Sequence, residues 1–148
     1  MRIIGGNFKG KKLLEPLDKE TRPLKDLTKE SIFNIINHSN KFSVKIKQAQ
    51  VLDLFSGTGS FGIECLSQGA GHITFIEKYN KVLTILKKNL NNLKTKNNYK
   101  IIEKDILNNF DFKELEKNFD IIFLDPPYKE KALDTILSSI IENKILKK

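Results

Sequence analysis

The sequence predicts an α/β domain with a parallel sheet, and two observations carry this prediction. From residue 51 onward, short apolar runs of strand length alternate with longer segments whose apolar residues recur at helical spacing. A glycine-rich turn also joins the first of these strands directly to a helix. Strands that alternate with helices pair in parallel and are covered on both faces. The 148 residues of the chain suit one such domain.

The predicted elements follow in order from the amino terminus. A hairpin over 1–14 precedes a helix over 27–38, for which Asp26 is the expected N-cap, and a polar linker covers 41–50. The core is then predicted, in chain order, as strand 51–54, helix 60–68, strand 72–77, helix 79–94, strand 99–105, a short helix at 112–117, strand 121–124 and a last helix at about 131–142. The expected strand order is third, second, first, fourth. The chain thus divides into a basic extension, 1–50, and a core, 51–148.

Positive charge is concentrated in the extension. The net charge is +8, and residues 1–50 supply +6 of it, with 11 Lys and Arg against 5 Asp and Glu. This asymmetry predicts a surface for a polyanion, although a solvated face in a lysine-rich protein is the alternative. The hairpin carries Arg2, Lys9, Lys11 and Lys12 and no acidic residue. Arg22 is the other arginine of the chain, and its planar fork can bind phosphate.

Composition also argues against several classes of protein. No apolar run approaches the roughly 20 residues of a membrane span, and the first residues lack the apolar stretch of a signal peptide. The single cysteine, Cys65, excludes an internal disulfide, is expected in the core and fits a reducing cytoplasm. The sequence has no second histidine or cysteine at metal-ligand spacing from His38 or His72, so no metal site is expected.

The turn after the first core strand predicts a cofactor site. The stretch VLDLFSGTGSFG (51–62) places Gly57, Gly59 and Gly62 at G-x-G-x-x-G spacing, and Glu77 follows the next strand, where it can accept from ribose hydroxyls. Alone, this pattern equally suggests a nicotinamide dehydrogenase. Asp53 inside the strand adds an acceptor for an ammonium group, and the set then suits S-adenosylmethionine. The alternative is a turn that only packs strand on helix.

The stretch IIFLDPPY (121–128) predicts a site for a nucleobase amine. Asp125 and the carbonyl of Pro126 can accept the two N–H protons of an exocyclic amine and hold its nitrogen against a methyl donor. Pro127 adds stiffness without a competing N–H donor, and Tyr128 offers a ring on which a base can stack. The alternative is a turn that merely ends a strand.

The chain resembles the bacterial 16S rRNA guanine-N2 methyltransferases from residue 1 to about residue 146. The resemblance rests on MRIIGGNFKGKKL, TRPLKDLTKESIFNII, VLDLFSGTGSFGIECLSQGA, ITFIEK and FDIIFLDPPY. It implies a Rossmann-like class I S-adenosylmethionine-dependent methyltransferase that acts on a guanine within a small-subunit assembly particle. It also implies that residues 125–128 hold the base, that the arm with Arg22 faces RNA, and that the donor is bound by Asp53, Phe55, Ser56, Gly57, Gly59, Ser60, Glu77 and Asp105. For Asp105, a turn or cap aspartate is the alternative.

Two rivals remain open at this point. One is a DNA adenine or cytosine amino-methyltransferase, which shares DPPY but usually carries a target-recognition segment for which this chain has no room. The other is a non-catalytic rRNA-binding assembly factor.

Two departures from the family bear on the expectations. Leu27 stands where relatives carry an arginine after the TRP block, and relatives continue past the last helix into three further strands. Six residues after that helix are too few to reach back and pair, so strand 121–124 is expected at an open sheet edge that favours self-association. The alternative is that residues 145–148 or the linker over 41–50 fold over this edge.

Overall fold

A computed structural model describes residues 1–18, 22–116, 118–127 and 131–148. Within these ranges, no helix is long and apolar enough to cross a membrane. Short 3-10 turns lie at Gly6–Phe8 and Phe112–Glu114. The helices and strands are α1 Asp26–His38, β1 Gln50–Leu54, α2 Ser60–Ser67, β2 His72–Ile76, α3 Asn80–Leu93, β3 Tyr99–Ile102, β4 Ile121–Leu124 and α4 Leu133–Glu142.

The four strands form one parallel sheet in the order β3-β2-β1-β4, which confirms the predicted topology. The register sets the level of the candidate site. Leu54, the last residue of β1, lies opposite Ile76 of β2 and Leu124 of β4. The next residue of each strand, at 55, 77 and 125, therefore leaves the sheet at the same level. Carboxyl ends of parallel strands are where ligands bind in open α/β sheets.

Alternation along the strands divides the apolar residues between two cores, one on each face of the sheet. Val51 and Phe75 belong to the first core, whereas Leu52 and Ile76 belong to the second. The first core also contains Ile3, Leu13 and Phe33 from the basic extension. Residues 1–50 therefore share a hydrophobic core with the sheet instead of forming a separate one. The second core includes Ile106, Phe112, Phe119, Ile136 and Ile140.

Three local predictions are wrong. Asp26 is not an N-cap, because α1 starts at Asp26 after Lys25 and no side chain caps it; Asp26 Oδ1 instead accepts a hydrogen bond from the Arg2 amide at 3.3 Å. The strand predicted over 99–105 ends at Ile102. The helix predicted over 112–117 is the single 3-10 turn Phe112–Glu114, and position 117 lies outside the described residues.

The end of the chain corrects a further expectation. As predicted, β4 lies at the edge of the sheet, and its residues are half-buried. The final residues nevertheless do pair: the Phe119 amide donates to the Ile145 carbonyl at 2.7 Å, and the Lys147 amide donates to the Phe119 carbonyl at 2.9 Å. Lys144, at φ 51°, reverses the chain after α4, so very few residues are needed to reach back. This pairing precedes β4.

Candidate active site

Left-handed backbone shapes the turn between β1 and α2, which we call the glycine turn (residues 55–60). Phe55, Gly57 and Gly59 have φ values of 55°, 56° and 85°. Such a conformation favours glycine and is strained for phenylalanine. A Cβ on Gly59 would lie 2.3 Å from Leu86 of α3, whereas a Cβ on Gly57 would meet nothing within 4 Å. The turn therefore packs against α3 at Gly59 and is open at Gly57, where a ligand can approach the backbone.

Hydrogen bonds tie the glycine turn to the end of β2. Ser56 donates to the Ile76 carbonyl from both its amide, at 3.0 Å, and its hydroxyl, at 3.2 Å. The Gly59 amide donates to the Ser56 carbonyl at 2.8 Å. Gly62, the third glycine of the motif, allows close packing, since a Cβ there would lie 2.3 Å from the Phe75 ring. The second and third glycines thus serve packing, while the first faces the open side.

The carboxylate of Glu77 organises the backbone around it. Glu77 Oε2 accepts from the Gly57 amide at 2.9 Å, and Oε1 accepts from the amides of Lys78 and Tyr79 at 2.8 and 2.9 Å. A carboxylate offers about four lone-pair sites, so three such bonds leave capacity for a hydroxyl. Glu77 is half-buried, so it remains accessible from the open side of the turn.

Asp53 is a buried acid at the centre of the site. Its Oδ2 accepts from the Gly62 amide at 3.0 Å, in the first turn of α2, where the helix dipole favours negative charge. Burial raises the Asp53 pKa to about 8; the Gly62 hydrogen bond opposes this, and the charges of Asp125 and Glu77 add to it. Glu77 and Asp125 follow the two neighbouring strands at the same level, so three carboxyl groups lie at this end of the sheet. Such a cluster suits a cationic ligand, which would favour ionised Asp53.

We predict that Asp53 makes the free energy of unfolding depend on pH, and that replacing Asp53 reduces this dependence. Because its pKa is about 8 when folded and near 3.8 when unfolded, the folded state binds more protons between these values, and stability falls as pH rises through this window. One group contributes at most about 1.4 kcal/mol per pH unit. Asp53→Asn, whose amide oxygen can still accept from Gly62, should flatten the decline in urea-unfolding free energy from pH 6 to pH 8. An equally steep decline in the variant would contradict this assignment.

Asp125 and the prolines follow β4 at the level of Phe55 and Glu77. Asp125 is exposed, yet the surrounding protein reduces the hydration of its carboxylate enough to raise its pKa. Pro126 is half-buried and Pro127 is exposed. Tyr128, the predicted stacking ring, lies outside the described residues. The structure therefore brings the acidic residue and both prolines of the predicted amine site to the sheet edge that carries the glycine turn.

Asp105 occupies a turn three residues after β3. Its Oδ1 accepts from the Leu107 amide at 3.0 Å, and its Oδ2 pairs with Lys78 Nζ at 3.0 Å. These contacts match the alternative reading of a turn aspartate. The Lys78 ion pair also links the loop after β3 to the residue next to Glu77. A role in donor binding stays a prediction for Asp105.

The predicted RNA-binding residues are exposed on the hairpin and just before α1. The hairpin itself is confirmed by an antiparallel bridge between Arg2 and Lys12. Arg2 Nε lies 3.8 Å from Asp26 Oδ2, and Lys11 Nζ lies 5.1 Å from the centre of the Phe8 ring. The hairpin packs against the rest of the domain through buried Ile3 and Leu13, while Arg2, Lys9, Lys11, Lys12 and Arg22 remain exposed.

Sequence reasoning missed three buried polar residues near the site. Lys29, Glu64 and Asn89 are 0%, 0% and 2% exposed. Lys29 Nζ lies 3.4 Å from Glu64 Oε2, which makes a fully buried ion pair. A signal was present in the sequence, since Lys29 lies four residues before Phe33 and Asn89 lies three residues after Leu86, on the apolar faces of their helices.

Cys65 is fully buried in the first core, as predicted, and burial raises the pKa of its thiol. Among the residues that the structure describes, no three His, Cys, Asp or Glu side chains are grouped as metal ligands.

The fold and the site define a class of protein, and comparison with known proteins agrees with it. A family model described as "Conserved hypothetical protein 95" matches residues 1–148. A Haemophilus influenzae protein named "Ribosomal RNA small subunit methyltransferase D" is 35% identical over 148 residues, which are 99% of this chain and 74% of that protein. The solved structure of yhhF from Escherichia coli is 31% identical, with a TM-score of 0.78 over 99% of this chain and 75% of that one.

These similarities confirm the predicted class, a Rossmann-like S-adenosylmethionine-dependent methyltransferase. The chain belongs to the "Conserved hypothetical protein 95" family, and its relatives named ribosomal RNA small subunit methyltransferase D support the 16S rRNA guanine-N2 methyltransferase family recognised in the sequence. A solved structure of SMU.776 in complex with S-adenosylhomocysteine covers 80% of this chain and 32% of that one, with a TM-score of 0.62. At 22% identity this likeness shows the fold alone.

Proposed function

We propose that this enzyme transfers a methyl group from S-adenosylmethionine to N2 of a guanine in 16S rRNA, within a small-subunit assembly particle in the bacterial cytoplasm. One observation carries the proposal: the register of β1, β2 and β4 brings the glycine turn, Glu77 and Asp125 to one level at the same sheet edge. A donor site and an acceptor site that share one edge can place a methyl group and an amine together.

The residues present fit the methyl donor. The backbone at Gly57 faces open space, and Glu77 has a lone pair left for ribose hydroxyls. The carboxylates of Glu77 and Asp125 supply negative potential for a ligand that carries a sulfonium and an ammonium group, and such a ligand would favour ionised Asp53. When bound, S-adenosylmethionine supplies an electrophilic methyl group. Phe55, Ser56, Ser60 and Asp105 complete the proposed donor site.

The residues after β4 fit the acceptor. A nucleobase amine is a poor nucleophile because its lone pair is delocalised into the ring. The Asp125 carboxylate and the Pro126 carbonyl can accept its two protons, orient the nitrogen for in-line attack and favour the positive charge that builds on it. Pro127 limits the motion of this turn, and Tyr128 is proposed to stack on the base. The methylated amine then loses a proton readily, so a strong general base is not needed.

The proposed substrate follows from the family and from charge. The Haemophilus influenzae relative is named a ribosomal RNA small subunit methyltransferase. The basic extension, residues 1–50, is proposed as the RNA-facing part, with Arg2, Lys9, Lys11, Lys12 and Arg22 at the phosphates. Leu27, which is 76% exposed, cannot supply the ionic contact of an arginine.

We predict that neutralising Lys9, Lys11 and Lys12 together weakens RNA binding and flattens its salt dependence. Each lost phosphate contact should reduce the slope of log affinity against log salt by about 0.7–0.9. Filter binding to 16S rRNA between low and moderate salt measures this slope. Lys94, Lys96 and Lys100, on and before β3, form a matched control triple whose neutralisation should leave the slope unchanged. An unchanged slope in the hairpin variant would mean that the hairpin lysines are only a solvated face.

A methyl-transfer assay with isotopically labelled donor tests the proposed function. The protein is offered naked 16S rRNA, small-subunit particles from cells that lack the gene, and double-stranded DNA. We expect label in the RNA of the particles. Label in DNA would support an amino-methyltransferase of DNA, and RNA binding without transfer would support a non-catalytic assembly factor.

Self-association is a separate proposal for the chain as given. β4 has a strand partner on one side, and the pairing of Phe119 with residues 145–147 stops before β4 begins. An open parallel edge favours pairing with a second chain. Sedimentation at low micromolar concentration is expected to show a dimer or larger species; a stable monomer would contradict it.

A further inference from the structure

Two buried polar residues join the hairpin to the glycine turn. Lys29 of α1 is 0% exposed and Asn89 of α3 is 2% exposed. Neither belongs to the glycine motif or to the DPP turn. Burying an ammonium or an amide is costly unless its hydrogen-bonding groups find partners, so each must be supported by specific contacts. For both residues, these contacts lead to the hairpin on one side and to the glycine turn on the other.

Asn89 bridges the end of the hairpin and the middle of the glycine turn. Its Oδ1 accepts from the Leu14 amide at 2.8 Å. Its Nδ2 donates to the carbonyls of Leu14 and Thr58, each at 3.2 Å. One amide therefore holds both backbone groups of Leu14 and the carbonyl of Thr58. Leu86, three residues earlier on α3, contacts the same turn at Gly59.

Lys29 makes a second bridge, from the start of the hairpin to the end of the turn. Its Nζ donates to the Arg2 carbonyl at 2.6 Å and to Ser60 Oγ at 3.2 Å. Its ion-pair partner, Glu64, accepts from the amides of Ile4 and Gly5 at 2.9 and 2.8 Å. The first strand of the hairpin is thus linked to α2 at two places: through Lys29 to Ser60 at the helix start, next to the glycine turn, and directly to Glu64 in the middle of the helix.

We propose that Lys29 and Asn89 are positioning residues for the methyl donor, and that the hairpin is consequently a structural part of the donor site. Thr58 and Ser60 flank Gly59, so the two bridges fix the turn from both sides while Gly57 stays open to the ligand. This inference rests on the proposed donor site. It further implies that RNA seated on the hairpin and donor held by the turn influence each other's affinity, because coupling between two binding sites is reciprocal.

The comparison of Asn89→Ala with Ser67→Ala tests the proposal. Ser67 is a matched control: it is 1% exposed, donates to the Gly5 carbonyl at 2.5 Å and accepts from the Phe8 amide at 3.0 Å. It therefore fastens the hairpin at the far end of α2, away from the glycine turn. Both variants lose hairpin contacts and stability, but only Asn89→Ala releases the turn.

Calorimetry with S-adenosylhomocysteine is done at a temperature where circular dichroism shows both variants folded. We expect Asn89→Ala to weaken binding about fivefold or more, the scale of one lost hydrogen bond, and Ser67→Ala to stay within about twofold of the wild type. Hydrogen exchange should be faster at residues 56–60 in Asn89→Ala alone. A merely structural role would give equal binding in both variants at equal folded fraction.

A double variant at Lys29 and Glu64 keeps the test decisive if Asn89→Ala does not fold. Lys29→Met alone leaves Glu64 as an unpaired buried charge, so it is combined with Glu64→Gln to remove both charges. The double variant should also lose donor affinity about fivefold or more. Wild-type affinity in a folded Lys29/Glu64 double variant would overturn the proposal. Failure of the wild type itself to bind S-adenosylhomocysteine would instead count against the proposed function.

Discussion

Replacing Asp125 by alanine is expected to lower methyl transfer by at least about tenfold while leaving donor binding nearly unchanged. Tenfold corresponds to about 1.4 kcal/mol of activation free energy, the lower end for losing one positioned polar partner at a reacting group. Asp125 is exposed, so the loss should appear in turnover and not in stability. Single-turnover rates with labelled donor and small-subunit particles measure it.

Two further variants test whether the effect depends on the charge of Asp125 and on the position of this carboxylate in the site. Asp125→Asn keeps an acceptor oxygen but not the charge, so we expect a rate between those of wild type and Asp125→Ala. Asp134→Ala removes an exposed acid from the first turn of α4 and should leave turnover unchanged. Because the Asp125 pKa is raised and the carboxylate is the proposed working form, activity should fall as pH drops through that raised pKa. Wild-type turnover in Asp125→Ala would remove this residue from the mechanism.

Replacing Glu77 by alanine is expected to weaken S-adenosylmethionine binding by about an order of magnitude or more. The variant loses the proposed acceptor for ribose hydroxyls and also the anchor of the Gly57 amide, so both the ligand contact and the conformation of the turn should be weakened. Calorimetry with S-adenosylhomocysteine measures the change. Glu103→Ala is the matched control, since Glu103 is an exposed glutamate directly after β3 that pairs with Lys87.

Glu77→Gln separates the effect of losing the charge from the effect of losing the hydrogen-bond acceptor. The amide oxygen can still accept one or two backbone hydrogen bonds, but the charge is lost, so an intermediate affinity is expected. Tight NAD binding by the wild type would support the nicotinamide dehydrogenase that the glycine motif alone allows. Unchanged donor affinity in Glu77→Ala would remove the carboxylate from the donor site.

Strand positions and their order were predictable because they depend on local apolar runs and on the parallel pairing that crossovers impose. Ile121–Leu124 ends where the prolines remove backbone donors, and both prediction and structure place the end at Leu124. Gly57 and Glu77 could be assigned to one cofactor site from the G-x-G-x-x-G spacing and the acid that follows the next strand. The geometry shows their direct contact, 2.9 Å, which spacing alone could not give.

Contacts between distant segments were not predictable. Asp26 looked like a helix cap, yet the Arg2 amide of the hairpin is its partner, across 24 positions of sequence. Lys29 and Asn89 were read as part of ordinary helices because their partners lie in the hairpin and the glycine turn. The pairing of residues 145–147 with Phe119 depends on the left-handed backbone at Lys144. Nothing about a lysine in the sequence indicates this conformation, which is uncommon for residues other than glycine.

The central claim is that this chain methylates the N2 amine of a guanine in 16S rRNA, and one measurement tests it most directly. Mass spectrometry of nuclease fragments of 16S rRNA is compared between cells with the gene, cells without it, and cells that carry Asp125→Ala in its place. We predict that one guanine carries an N2-methyl group in the first cells only, and that the Asp125→Ala cells lack or strongly reduce it. An identical set of modified guanines in all three would contradict the account.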